Sequence, residues 1–310
     1  MKKIFFLFAI CLCSCSNDKS TEGLLKDDIE NVEISITALK GDFDSRVSYD
    51  TNEKIYKWVA EDTVGIFPNK GGQVEFAITE ESYGKTKAEF DGGGWALRSN
   101  YKYSAYYPFN FYNRDAKNVL FSYVGQKQKG NNNQDHVGDY TLLIASPTSS
   151  VGGTLTFAMS HVGYILGVTM ELPANKTYTS LSLYADDKII PVKRSYNLLS
   201  ETLQETDVEY SESLSVSLEN IATTETAKKI RVWMAFPFMN NADKTLTAVV
   251  TDSQNCVYVG NVMRSGAPFT FKGLERHLAY SLTATPVQTT GVSAGIEDWE
   301  IGEEILGSAE

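Results

Sequence analysis

Ile230-Arg231-Val232-Trp233-Met234-Ala235-Phe236, closed by Pro237, decides the fold class. Its large apolar residues recur at every second position, the period of a strand rather than a helix. Pro237 cannot donate to a ladder and ends the run. Leu214-Ser215-Val216-Ser217-Leu218 alternates in the same way. Working outward, similar short runs lie at Val32–Ala38, Gln73–Ile78, Leu155–Met159, Tyr164–Leu172, Phe269–Phe271 and Ala279–Ala284. Leu181–Ala185 and Lys188–Val192 read as a hairpin about Asp186-Asp187. Leu246–Val250 and Cys256–Val259 read as another about Ser253-Gln254-Asn255. No amphipathic pattern exceeds two helical turns. Short strands with regular turn signals predict an all-β, sandwich-like protein.

The 310 residues are long for one β-domain and comfortable for two. The spacing predicts two domains, 31–160 and 161–310, meeting at the strand end near His161. Apolar residues make up 42% of the chain, enough for real cores. The net charge is −11, which argues against nucleic acid as a partner.

The first sixteen residues, MKKIFFLFAICLCSCS, read differently. Lys2 and Lys3 precede a nine-residue apolar run, Ile4–Leu12, too short to span a bilayer. Leu12-Cys13-Ser14-Cys15 then has the form of a lipobox. Residues 1–14 are expected to be a lipoprotein signal peptide, with Cys15 the site of lipid attachment and the chain held on the outer membrane. Several acyl chains, at ~0.8 kcal/mol per buried methylene, hold far more firmly than one. Residues 15–30 are polar and read as a tether. Removing two lysines with the signal leaves 26 basic against 39 acidic residues, a charge of −13. Cys256 is then the one cysteine of the body besides Cys15, so no internal disulfide is expected. It reads as a half-buried residue beside a turn.

No catalytic constellation is visible. His136, His161 and His277 are far apart and match no metal spacing. His136 lies in the polar stretch 125–139, read as a solvated loop. The acidic residues Glu297, Asp298, Glu300, Glu303 and Glu304 read as a solvated face. No cofactor and no enzymatic activity are expected. The aromatic run Tyr101–Tyr112 reads as a strand ended by Pro108, mainly core. Sugar stacking by Trp95, Tyr106 or Tyr107 is the alternative, which would make the chain a non-polymerising binder of a glycan or host ligand.

Four segments taken in order carry a resemblance. Trp58-x-x-Glu61-Asp62-x-Val64-Gly65-Ile66-Phe67 resembles the W-x-x-G-D-x-I-G-I-aromatic segment of the fimbrillin-like proteins of Bacteroides-type bacteria, with Glu61 where that family has glycine. Tyr103-Ser104-Ala105-Tyr106-Tyr107-Pro108 resembles their Y-x-A-Y-Y-P segment. Phe157-x-x-x-His161 and Ile296-x-x-Trp299 resemble two further segments. The resemblance implies two transthyretin-like β-sandwich domains in tandem, a role in a fimbria and in cell adhesion, and no catalysis. It implies other fimbrial subunits as partners, joined by donor-strand exchange after cleavage at an arginine. Arg46, which follows the Val32–Ala38 strand, is the candidate. Val287–Ile305 is a poor donor strand, because Gly291, Gly295 and Gly302 interrupt it.

Overall fold

A computed structural model describes residues 31–36, 48–50, 55–93, 98, 100–149, 151, 154–240, 243–272, 274 and 279–289; residues 31–36, 48–50, 55, 56 and 279 are described by their backbone. The first strands are β1 (Asn31–Ile36), β2 (Ser48–Asp50), β3 (Ile55–Lys57), β4 (Thr63–Pro68), β5 (Val74–Ile78) and β6 (Lys87–Asp91). They are followed by β7 (Tyr103–Tyr107), β8 (Val119–Ser122), β9 (Gln126–Lys129), β10 (Leu143–Thr148), β11 (Thr154–His161) and β12 (Tyr164–Glu171). Next come β13 (Thr177–Tyr184), β14 (Ile190–Asn197), β15 (Thr202–Leu203), β16 (Glu209–Ser211), β17 (Ser213–Ala222) and β18 (Lys229–Phe236). The last are β19 (Thr247–Asp252), β20 (Val257–Asn261), β21 (Met263–Arg264), β22 (Ala267–Pro268), β23 (Ala279–Ala284) and β24 (Val287–Gln288). Among the described residues the only helical turns are two short 3₁₀ segments. The protein is all-β.

Seven strands of the first half close into a ring in the order β1-β11-β10-β7-β4-β5-β6, with β6 returning to β1. β11 shows why such strands form: Leu155, Phe157 and Met159 are buried and alternate with exposed Thr156, Ala158 and Ser160. In the second half β18-β12-β23-β21-β22 and β24-β20-β19-β13-β17-β9 form two larger sheets. One continuous core joins residues of the ring, such as Phe90, Tyr107 and Phe157, to residues of these sheets, such as Tyr178, Trp233 and Tyr258, and takes in Trp58 and Phe269 beside them. A second, smaller core holds Phe67 and Tyr106 of the ring against Val119, Tyr196 and Leu198.

Sheet membership changes between β11 and β12. Two strands cross this point. β8 pairs with β14, and β9 runs parallel to β17. The expected hairpin about Asp186-Asp187 does not form. Both edges of β13 are taken, by β17 and β19, so β14 turns away into a small sheet with β8, β15 and β16. The β19–β20 hairpin forms as read, with Asn255 in the left-handed region at φ 61°. The Asp252 carboxylate organises its turn, accepting from the backbone N–H of Gln254 and Cys256 and from the Tyr258 hydroxyl. Cys256 is half-buried there. Phe269–Phe271 is not a strand. Pro268 has no N–H to extend the ladder, and the two phenylalanines serve as core.

Candidate functional site: the strand that closes the ring

β1 is the element on which the ring depends. It runs parallel to β11 from Asn31↔Thr154 to Ile36↔Met159 and antiparallel to β6 from Val32↔Phe90 to Ser35↔Lys87. β6 and β11 are not paired with each other; β1 alone lies between them. Val32, Ile34 and Ile36 occupy the register positions of Leu155, Phe157 and Met159. Those three side chains, with Ala88 and Phe90 of β6, are buried. The walls of this slot therefore ask for an apolar residue at every second position of whatever strand fills it.

Opposite β1 in the ring, two of the family-like segments lie side by side. Gly65 of β4 pairs with Tyr106 of β7, and Ile66 with Ala105. A Cβ on Gly65 would sit 2.1 Å from the Tyr106 ring, so glycine is required there by contact and not by φ. Trp58 packs edge-on against Phe90 and Tyr107, at centroid distances of 5.0 and 5.4 Å. The Tyr107 hydroxyl donates to buried Asp62 at 2.9 Å, and the second carboxylate oxygen of Asp62 accepts from the Val59 N–H at 2.8 Å. Glu61, the residue standing where the similar family has glycine, has φ 72°. The third segment joins the same ring, His161 pairing with Leu143 and Leu143 with Tyr107.

These contacts correct one expectation. Tyr106 and Tyr107 are 1% and 3% exposed and offer no ring face to a sugar. Both faces of β7 are covered, one by the main core and one by the smaller core. Burial raises the Tyr106 phenol above its ordinary value. Cys15, Arg46, Trp95, His277, Ile296, Trp299 and the acidic residues of 297–304 lie outside the described residues.

A second correction concerns 125–139, read as a solvated loop. It contains β9, and its amides are buried: Gln126 is 1% and Gln128 0% exposed. The backbone of β9 pairs with β17 in one sheet, while its side chains reach the outer edge of β18 in the other. Gln126 donates to the Ala235 carbonyl and accepts from the Ala235 N–H, both at 2.8 Å. Gln128 donates to the Arg231 carbonyl at 2.9 Å and accepts from the Trp233 N–H at 2.8 Å. Asn131 accepts from the Arg231 N–H and donates to the Lys229 carbonyl. His136 is buried and bonds the Trp233 carbonyl at 3.1 Å, which requires the proton on Nε2. From the Lys229 carbonyl to the Ala235 carbonyl, the outward edge of β18 is thus filled by these side chains and the Asn132 N–H, which reaches the Arg231 carbonyl at 3.1 Å, in place of a strand. The sequence signal was the alternation Gln126-Lys127-Gln128-Lys129, with amides inward and lysines outward.

Sequence reasoning also passed over the end of the aromatic run. Phe111 and Tyr112, beyond Pro108, are 61% and 85% exposed. The signal was Pro108 itself: aromatics after the strand's stop are no longer committed to a sheet face.

Among the described residues no three His, Cys, Asp or Glu side chains are grouped to hold a metal ion. No helix there is long and apolar enough to cross a membrane. No family model and no curated protein matches the chain. Solved structures do. A candidate cell adhesion protein of Bacteroides ovatus superposes with a TM-score of 0.50 at 14% identity, over 84% of this chain and 95% of that one. This chain shares that protein's fold. A candidate cell adhesion protein of Bacteroides uniformis gives 0.46 at 13% identity, over 75% and 93%. A fimbrial protein of Bacteroides vulgatus gives 0.38 at 15% identity, over 84% and 98%.

Proposed function

We propose that the chain is a fimbrillin-like surface subunit, delivered to the outer membrane by a lipid on Cys15 and joined to other subunits by exchange of β1. The observation that carries this reading is the position of β1. It is the first described strand, and it alone bridges β6 and β11. Taking it away opens one groove and leaves the other six strands of the ring paired. Arg46, ten residues after β1, is where a protease would release it together with Cys15.

A neighbour's strand of the same alternation would fill the groove, main-chain bonds giving affinity and the pockets of Leu155, Phe157 and Met159 giving register. Burial of each aliphatic side chain is worth about 1.5–3 kcal/mol, so an empty groove is costly and an exchanged strand is held firmly. The side-chain edge on β18 keeps the second long edge from competing for that strand. We also read the two halves as the tandem transthyretin-like domains of that family. The anchor is the conditional part: cut at Arg46, the lipid only delivers the subunit; uncut, it holds it as an anchor.

The test is the intact mass and N-terminal sequence of the protein recovered from surface fibres. A species beginning at Val47 agrees with the proposal. A species in assembled fibres still beginning at acylated Cys15 refutes obligatory cleavage.

A further inference from the structure

The β7–β8 connection holds a second feature, independent of whether β1 leaves. Its backbone is pinned at the base. The Gln73 carboxamide donates to the Asn110 carbonyl at 2.9 Å and the Asn113 carbonyl at 2.5 Å. Buried Tyr106 donates to Gln73 at 2.6 Å and accepts from the Asn110 N–H at 3.1 Å. Asn110 accepts from the Tyr112 N–H, and Asn113 accepts from the Leu120 N–H. A loop so fixed packs Phe109 on the smaller core yet turns two large apolar side chains, Phe111 and Tyr112, into solvent. They contact each other edge-to-face at 6.0 Å. The Arg114 guanidinium lies 4.1 Å from the Phe111 ring centroid. Among the described residues that ring is its one partner, so its N–H donors are unspent. The neighbouring Asp115 carboxylate is engaged by the Lys117 N–H.

We infer that Phe111, Tyr112 and Arg114 form a contact site for a carboxylated sugar. Pre-ordering the loop removes the entropy cost of fixing it on binding. An exposed tyrosine ring offers a face to the apolar side of a pyranose. The guanidinium, stacked and oriented, offers a fork that matches a carboxylate. In a chain of net charge −11, that one oriented cation selects for an acid where the rest of the surface repels it. Two rings and one arginine are too small a patch for a stable protein interface, which needs about 800 Å² from each partner.

The experiment measures binding of the purified chain to oligogalacturonate and to sialyllactose, each against its neutral counterpart, with Tyr112→Ala and Arg114→Gln alongside. Both substituted residues are exposed, and unchanged thermal unfolding verifies the fold of each variant. The account expects one or both acidic sugars to bind, with Tyr112→Ala losing at least tenfold. Arg114→Gln should erase the preference for acid over neutral sugar while weak binding persists. The arm that binds distinguishes a uronic from a sialic acid. Equal binding of acidic and neutral sugars by the wild type overturns the inference, as does binding to neither acid. Binding to phosphatidylcholine vesicles that Tyr112→Ala abolishes, without acidic-sugar binding, would also overturn it and reassign the loop to a lipid surface.

Discussion

The carboxamide of Gln128 occupies the place of a strand beside Trp233: it accepts from the Trp233 N–H at 2.8 Å while donating to the Arg231 carbonyl at 2.9 Å. Gln128→Leu keeps the volume and removes both bonds. The Trp233 N–H would be left buried and unpaired, while the Arg231 carbonyl would keep the Asn132 N–H at 3.1 Å, for a loss of about 1–3 kcal/mol. Urea unfolding should show the lower midpoint. Size-exclusion chromatography of the double variant with Gln126→Leu should show self-association through the unprotected edge of β18.

Gly65 and Gly167 answer to the same contact. Gly65 pairs with Tyr106 and Gly167 with Trp233, and in each case the aromatic ring lies over the glycine, within 2.1 and 2.5 Å of where a Cβ would be. Replacing either by alanine should cost about 1–3 kcal/mol through displacement of a packed ring. Thermal unfolding with near-ultraviolet circular dichroism would register both the loss and the disturbed aromatic.

Glu61 behaves in the opposite sense. At φ 72° a side chain is strained and glycine is not. Glu61→Gly should therefore stabilise the fold by about 0.5–1 kcal/mol, read as a raised melting temperature.

Much of this was legible, and the exceptions have physical causes. Alternation located β11, β17 and β18 because each buries one set of side chains at period two. The turn at Ser253-Gln254-Asn255 was legible from its residue types. The partner of β13 was not: proximity in sequence suggested β14, whereas the sheet had already filled both edges of β13 from β17 and β19. β9 was hidden because its inward residues are amides, which composition reads as solvated. Tyr106 and Tyr107 were visible as aromatics, but the burial of both faces of β7 depends on elements distant in sequence, such as β14.

Asp252 supplies the pH dependence. Burial opposes its charge, but the N–H groups of Cys256 and Gln254, with Lys176 and the Tyr258 hydroxyl, outweigh it and hold the carboxyl below the ordinary value. A depressed carboxyl contributes stability above its unfolded value, and that contribution is lost as pH falls through the folded one. Asp252→Asn should be less stable than wild type at pH 7, and the gap should close as pH falls below about 4. Melting temperatures from pH 7 to pH 2.5 would check it; a gap constant with pH would contradict it.

The central claim is that β1 must leave its slot for subunits to join, and a reversible lock tests it. Ser35 and Lys87 are register partners across β1 and β6. Ser35→Cys with Lys87→Cys, in a chain whose Cys256 is replaced by alanine, ties β1 to β6 by a disulfide that mass spectrometry can verify. The measurement is the ladder of polymers recovered from the cell surface with and without dithiothreitol. The account predicts monomers while the disulfide is intact and a normal ladder once it is reduced. A normal ladder with the disulfide intact would contradict it.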